Sequence, residues 1–346
     1  MDSTIKKSPL SLQLDPNLFQ EASEEEKAQQ VITRESVSFM RDALRRLSHN
    51  KMSMACVVIL VVVTLIAFIL PAIYPYSYSQ QDVTAQYLSP FQYSQKEQVK
   101  ISQGVSIFPH VMGTDSLGRD YASRVIFGTR ISLLVGFVSA IIVVIIGIIY
   151  GSVSGYFGGK VDMIMMRIVD VIYALPDVLI VILLSVVLKD IISASKNAFV
   201  MQIGAGMVSI FIVFGLLYWV GMARQVRGQI LSIKEQEYVL ASRSIGATPS
   251  RIIRKHMIPN CVSVIIITAA MQIPSAIFTE SFLSFLGLGV SVPMPSLGSL
   301  ASDARSGLVS YPYLLIFPAL SIFLIVLSFN LLGNGLRDAF DPKLRS

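Results

Sequence analysis

Apolar positions fall into long runs separated by short polar stretches, and six of those runs are long enough to cross roughly 30 Å of hydrocarbon as helices. They cover 51–74, 130–153, 163–188, 198–222, 260–282 and 312–334. The third and fifth are the least uniform, because Asp170 and Asp177 interrupt one and Pro274 and Glu280 the other. The pattern predicts an all-α integral membrane protein with six transmembrane helices. Just ahead of the first run, Met40, Ala43, Leu44 and Leu47 share a helical face opposite Arg41, Arg45 and Arg46, which predicts a helix lying in the headgroup region against membrane lipid and leading into the first span, over 40–74. Residues 1–39 are polar, carry an acidic cluster between Glu21 and Glu26, and lack an apolar core with a cleavage site, so a solvated cytosolic tail is expected and no cleavable signal peptide.

Composition agrees with the pattern: 53% of the residues are hydrophobic and only 14% charged, a balance foreign to a soluble domain of this length. The net charge of +6 does not point to nucleic acid, because Lys and Arg are spread over the segments between runs. Their distribution reads as topology instead. With six spans both termini share a side, and the segments on that side hold about 20 Lys plus Arg against about 8 on the other. Both termini are therefore expected in the cytosol, with 75–129 outside, 130–336 forming the transmembrane domain, 223–259 inside as a loop and 337–346 as a cytosolic tail. Cys56 and Cys261 each lie in or beside an apolar run, which predicts packing and no disulfide.

No Gly-x-x-x-x-Gly-Lys-Ser/Thr phosphate loop occurs, nor a His-Glu-x-x-His zinc motif, a Gly-x-Ser-x-Gly elbow or a Cys-x-x-Cys pair. The chain is not expected to hydrolyse ATP, act as an enzyme, or carry a cofactor or metal. His110 with Asp115 and Asp120 matches no standard ligand spacing. The most informative polar stretch runs from Glu237 through Ala241, Ser242, Gly246 and Ala247 to Arg251, Arg254, His256 and Pro259. Its small residues permit close backbone approach and Pro259 marks the turn back toward the bilayer. Thr248-Pro249-Ser250 predicts a helix start with Thr248 as the cap, presenting Arg251, Arg254 and Lys255 outward while Ile252 and Ile253 pack inward. The stretch reads as a docking element for a driving partner.

Four segments carry a resemblance. Gly113-Thr114-Asp115-Ser116-Leu117-Gly118-Arg119-Asp120 with Gly128-Thr129-Arg130, the loop just described, Thr279-Glu280-Ser281 through Gly287-Leu288-Gly289 with Pro293, Pro295 and Asp303, and Asn330 through Pro342 together resemble the C-type permease subunits of peptide ABC importers. The resemblance implies the type I importer permease arrangement, a short coupling helix after Gly246 seated on cytosolic ABC ATPase subunits, two of them per complex, a second homologous permease chain, and an extracytoplasmic binding protein delivering oligopeptides. Dipeptides and nickel chelates are alternative substrates within that class. The chain departs from the general pattern at Leu240-Ala241-Ser242, where a Glu is usual, and at Leu297, where an aromatic is common.

Acids within apolar runs cost about 2.5–3.5 kcal/mol at a span centre and call for a partner or a wet cavity. Tyr173, Asp177 and Glu280 are therefore candidates for a translocation path, with Asp170 paired to Arg167 near the inner surface and Asp170, Tyr173 and Asp177 on neighbouring positions of one helical face. Asp177 equally suits an outer interface. The rival from another class is an ion-coupled secondary transporter working through Asp177 or Glu280.

Overall fold

With no water in the bilayer core to satisfy backbone polar groups, runs this apolar close their hydrogen bonds within helices. The computed structural model describes residues 39–194, 200, 203–290 and 294–340, and among them the regular structure is helical, with two isolated β-bridges in the first loop. The N-terminal tail, Pro293 and the final Asp341-Pro342 pair lie outside the described residues. The helices are α1 (Phe39–His49), α2 (Lys51–Ile69), α3 (Gln95–Ser102), α4 (Tyr121–Phe157), α5 (Gly159–Ala174), α6 (Asp177–Ala194), α7 (Ala205–Val213), α8 (Trp219–Lys234), α9 (Glu237–Ser244), α10 (Pro249–Ile252), α11 (Val262–Phe285), α12 (Leu297–Asp303) and α13 (Tyr313–Phe340). A π segment, Phe214–Tyr218, joins α7 to α8 without a break in the span. In α1 the apolar face is split: Ala43 is buried but Leu44 is exposed.

Five stretches are long and apolar enough to span: Lys51–Ala72, Tyr121–Phe157, Ala205–Lys234, Pro249–Phe285 and Tyr313–Phe340. The expected single span over 163–188 is instead two helices, α5 and α6, meeting at 88°. The cause is local. Leu175 precedes a proline and adopts extended backbone (ψ 141°), because the ring of Pro176 excludes the α region at the residue before it and removes an N–H from the helix. Asp170 and Asp177 therefore do not share a helical face.

Helix α4 has 37 residues, about 55 Å at 1.5 Å per residue, which is longer than the roughly 30 Å of hydrocarbon it has to cross. Its central partner is α8. Gly147, Gly151 and Gly155 form a stripe along α4 on which a Cβ would sit 2.4 Å from Met222 Cγ, 2.4 Å from the Ala223 carbonyl oxygen and 2.8 Å from Ile230 Cγ2. Where lipid tails are as apolar as leucine, such close backbone approach supplies the packing that holds helices together. A three-helix ionic joint lies beside the stripe: Arg227 on α8 donates through Nε and Nη2 to both oxygens of Asp162 on α5, at 2.5 Å each, and Ser154 on α4 donates to Asp162 as well.

The Gly113–Asp120 motif builds the lead-in to α4. Asp115 accepts from the backbone N–H groups of Leu117 and Arg119, from Arg119 Nε at 2.7 Å and from Arg124 at 2.5 Å. Asp120 caps α4 by accepting from the Ser123 N–H at 2.7 Å, and its other oxygen takes His110 Nδ1 at 2.8 Å. His110 also meets Glu97 at 3.3 Å and stacks on the ring of Tyr76. Asp115 is thus committed to arginines, not to His110. Burial opposes charge on the imidazole, but Asp120 and Glu97 outweigh it and raise the His110 pKa.

Candidate functional site

The loop after α8 closes with backbone chemistry legible in its sequence. Helix α9 ends at Ser244, Gly246 takes φ +81°, its N–H bonds the Arg243 carbonyl at 3.0 Å, and the Ala247 N–H reaches back to the Ser242 carbonyl at 3.1 Å. That is a Schellman closure, which requires left-handed backbone at the position Gly246 occupies. Helix α10 then begins at Pro249, continues as a π segment over Ile253–Met257 and a 3₁₀ turn over Ile258–Cys261, and runs into α11. Thr248 stands at the N-cap with extended backbone, but its side chain makes no capping bond; its carbonyl accepts from Arg251 and Ile252.

The loop has two sides. Val239, Ser242, Ile252 and Met257 are buried, and Ala247, Ile253 and His256 are half-buried. Outward stand Glu237, Ala241, Gly246, Arg251, Lys255 and Pro259, with Arg254 folded onto the Ser250 hydroxyl. Ser242, expected among the docking residues, faces inward, where its small side chain seats α9 on the bundle. Ile245, which its apolar side chain alone would place in the core, is 86% exposed beside Gly246. Tyr238, Leu240, Arg251 and Lys255 are exposed on the same loop, a mixture of apolar and basic side chains that suits a protein contact. The loop is tied back to the bundle by Arg243, whose guanidinium lies 5.6 Å from the centroid of Tyr156 at the end of α4.

A second feature lies at the α5–α6 break. A cleft of about 450 Å³ opens between that break and the start of α8, lined by Tyr173, Pro176 and Asp177 on one side and Leu217, Tyr218 and Gly221 on the other. Tyr173 and Asp177 therefore meet one space although they stand on different helices. Asp177 opens α6, where its charge suits the positive end of the helix dipole, and accepts from the Val178 N–H at 2.8 Å. Asp170 does not pair with Arg167. It accepts from Arg224 Nη2 at 2.7 Å, and the Arg224 guanidinium lies over the Tyr173 ring at 4.2 Å. Arg224 lies just beyond the apolar run 198–222, 54 positions from Asp170, so nothing in the sequence links the two.

Glu280 does not join this space. It is fully buried and accepts from Ser132 at 2.8 Å, Ser284 at 2.7 Å and Ser281 at 3.3 Å. Two of those hydroxyls also accept backbone N–H groups, Ser132 from Leu297 and Ser284 from Val290. Glu280 is a knot joining α4, α11 and the turn into α12, so the expectation that it lines a path is corrected: its oxygens are already taken by neighbouring hydroxyls. Among the described residues no group of three or more His, Cys, Asp or Glu is arranged to hold a metal ion.

Comparison with known proteins places these features in a family. The family model described as binding-protein-dependent transport system inner membrane component matches residues 144–346, and that of the N-terminal TM domain of oligopeptide transport permease C matches residues 38–90. The chain is 41% identical to the oligopeptide transport system permease protein OppC of Bacillus subtilis over 95% of its own length and 98% of the relative's. It is 44% identical to the dipeptide transport system permease protein DppC of the same organism, covering 91% of this chain and 89% of that one. It is also 41% identical to the glutathione transport system permease protein GsiD of Pectobacterium atrosepticum, over 76% of this chain and 82% of the relative. With its apolar spans, its broken third span and its glycine-closed loop, the chain belongs to the family of binding-protein-dependent transport system inner membrane components.

Proposed function

We propose that the chain is the C-type permease subunit of an ATP-driven peptide importer in the cell membrane, with both termini and the loop after α8, 235–259, in the cytosol; α8 continues the span to Lys234, twelve residues past the boundary expected from the apolar run. The observation that carries the reading is the outward face of that loop: Ile245 almost fully exposed beside a glycine turn, with Arg251 and Arg254 exposed on the same loop and Val239, Ile252 and Met257 buried beneath it. A cytosolic ABC ATPase subunit seated there would push on α9 and α10. Arg243 against Tyr156 would carry the movement to α4, and the Asp162–Arg227 joint would carry it to α5 and α8. A second, homologous permease chain completes the path, a second ATPase serves that chain, and an extracytoplasmic binding protein delivers the cargo.

Oligopeptides are the proposed cargo, supported by relatives named for oligopeptide, dipeptide and glutathione transport; dipeptides are the nearest alternative. Tyr173 and Asp177, on the α5–α6 cleft, are this chain's proposed contribution to the path. Proton coupling through Glu280 has no support, since its carboxylate is closed off by three hydroxyls. The test is uptake of a labelled tripeptide into vesicles carrying the assembled complex, with the binding protein on the side it serves. ATP on the loop side should drive accumulation without an ion gradient. Accumulation driven by a proton gradient with no ATP would overturn the reading.

A further inference from the structure

We infer that Arg224 is a specificity-determining residue on the path, holding the carboxylate end of a passing peptide by exchanging its present partner Asp170 for the substrate. The inference rests on the peptide-importer reading above and assigns a role that reading does not contain. Its first support is the backbone. Irregular main chain at membrane depth is tolerated only where it is buried in protein or lines a water-filled cavity. Here two irregularities face one space: the 88° break at Leu175-Pro176 and the π segment Phe214–Tyr218, whose Leu217 and Tyr218 line the opposite wall.

The second support is charge. Arg224 lies on α8 one turn beyond Val220 and Gly221, which line the cleft, and its guanidinium covers the ring of Tyr173, a residue of the other wall. Its bond to Asp170 uses one terminal nitrogen, Nη2, at 2.7 Å, and the two side chains remain 37% and 55% accessible. An ion pair built to hold helices would resemble Asp162–Arg227 one turn away, where both carboxylate oxygens are engaged by two guanidinium nitrogens and the acid is largely covered. The Asp170–Arg224 pair has the opposite character. It is single, open and stacked on an aromatic face, so the guanidinium is already oriented and keeps donors free for a planar, bidentate carboxylate. The exchange leaves the Asp170 carboxylate without its guanidinium, which its 55% accessibility makes tolerable because water takes the place of the arginine. A cleft of about 450 Å³ is within the range that takes a small peptide.

The test compares uptake of a labelled tripeptide with that of the same peptide carrying a C-terminal amide, in vesicles of the whole complex. Substitution of Arg224 by Gln removes the carboxylate partner. It should lower uptake of the free acid by about tenfold or more while the amide changes by less than about threefold, since a bond to a charged group is what has been lost. In Asp170→Asn the guanidinium is retained and freed, so the preference for the free acid should persist or grow. If Arg224→Gln and Asp170→Asn lower both peptides equally, the pair is a structural brace and the inference fails. It fails also if the acid-to-amide ratio in Arg224→Gln equals that of the native complex. A native complex that accumulates neither peptide under ATP would instead bring down the function proposed above, and this inference with it.

Discussion

Substituting Ala for Gly151 asks whether the α4–α8 contact is as close as the structure has it. On an isolated helix the change is favourable by about 1 kcal/mol, because glycine costs more backbone entropy than alanine. In place, the new methyl would stand 2.4 Å from the Ala223 carbonyl oxygen, 3.0 Å from Val226 Cβ and 3.1 Å from the Arg227 nitrogen. Two of those three neighbours are backbone, so no rotamer change relieves the clash and the helices must separate by on the order of 1 Å. A gap of that size forfeits roughly a quarter to a half of each van der Waals contact across the interface. Overpacking of this kind typically costs about 1–3 kcal/mol, which leaves a net loss of up to about 2 kcal/mol after the helix-propensity gain. The internal control is Gly228 on α8, where an added methyl meets nothing within 4 Å and Ala should stabilise. The assay is built in: Trp219, the chain's single tryptophan, is buried at this interface with its ring 4.5 Å from Tyr150 of α4. Tryptophan emission during thermal unfolding in detergent should give a midpoint several degrees lower for Gly151→Ala than for the native chain, and a higher one for Gly228→Ala. Equal or greater stability of Gly151→Ala relative to Gly228→Ala would refute the packing argument.

The first loop should weaken as pH rises. A histidine whose folded pKa is raised contributes stability that is complete below its unfolded pKa, about 6.5, and is lost as pH climbs through the folded value; protection of 75–120 from added protease should fall over that window, and Glu97→Gln should shift the loss to lower pH. Replacing Asp115 by Ala leaves Arg124 buried without its main partner, a loss of about 3–5 kcal/mol, which should appear as a sharp drop in folded yield, whereas Asp303→Ala, exposed and 3.4 Å away, should cost little. Gly246→Ala forces a side chain into left-handed backbone at about 1–2 kcal/mol; the purified chain's unfolding midpoint should drop by a few degrees and peptide-stimulated ATP hydrolysis should fall even well below that midpoint, and a lowered midpoint with unchanged coupling would contradict a role for the turn in docking.

The number of apolar runs and the glycine-closed turn at Gly246 were readable from the sequence because each depends on residues close together in the chain. Hydropathy reports burial in lipid without reference to partners, and a Schellman turn needs one glycine after one helix. The break at Leu175-Pro176 has a local cause, since a residue preceding proline avoids helical backbone, but the apolar residues on either side of it form one continuous run and hydropathy alone predicts one straight span. The glycine spacing at 147, 151 and 155 carries a close-packing signal, but it does not name α8 as the helix that comes close. What the sequence concealed is long-range pairing. Asp170 has an arginine three residues before it in Arg167, the natural local choice, yet its partner is Arg224, 54 positions away. Glu280 looked like a costly acid in need of water because Ser132, which takes one of its oxygens, lies 148 positions away. Ile245 was legible as apolar but not as exposed, because exposure depends on how α9 and α10 fold around it.

The most direct test of the central claim uses Ile245. Both native cysteines are buried, so an Ile245→Cys chain presents one accessible thiol at the centre of the proposed ATPase contact. Cross-linking that thiol in native membranes with a short thiol-to-amine reagent, then identifying the adduct by mass spectrometry, reports what touches the loop. The account predicts one dominant adduct, a subunit carrying a phosphate-loop motif, with a yield that changes when ATP is added and vanadate traps the complex. An adduct formed only with a second copy of this chain, or with lipid-facing membrane proteins and indifferent to ATP, would contradict it.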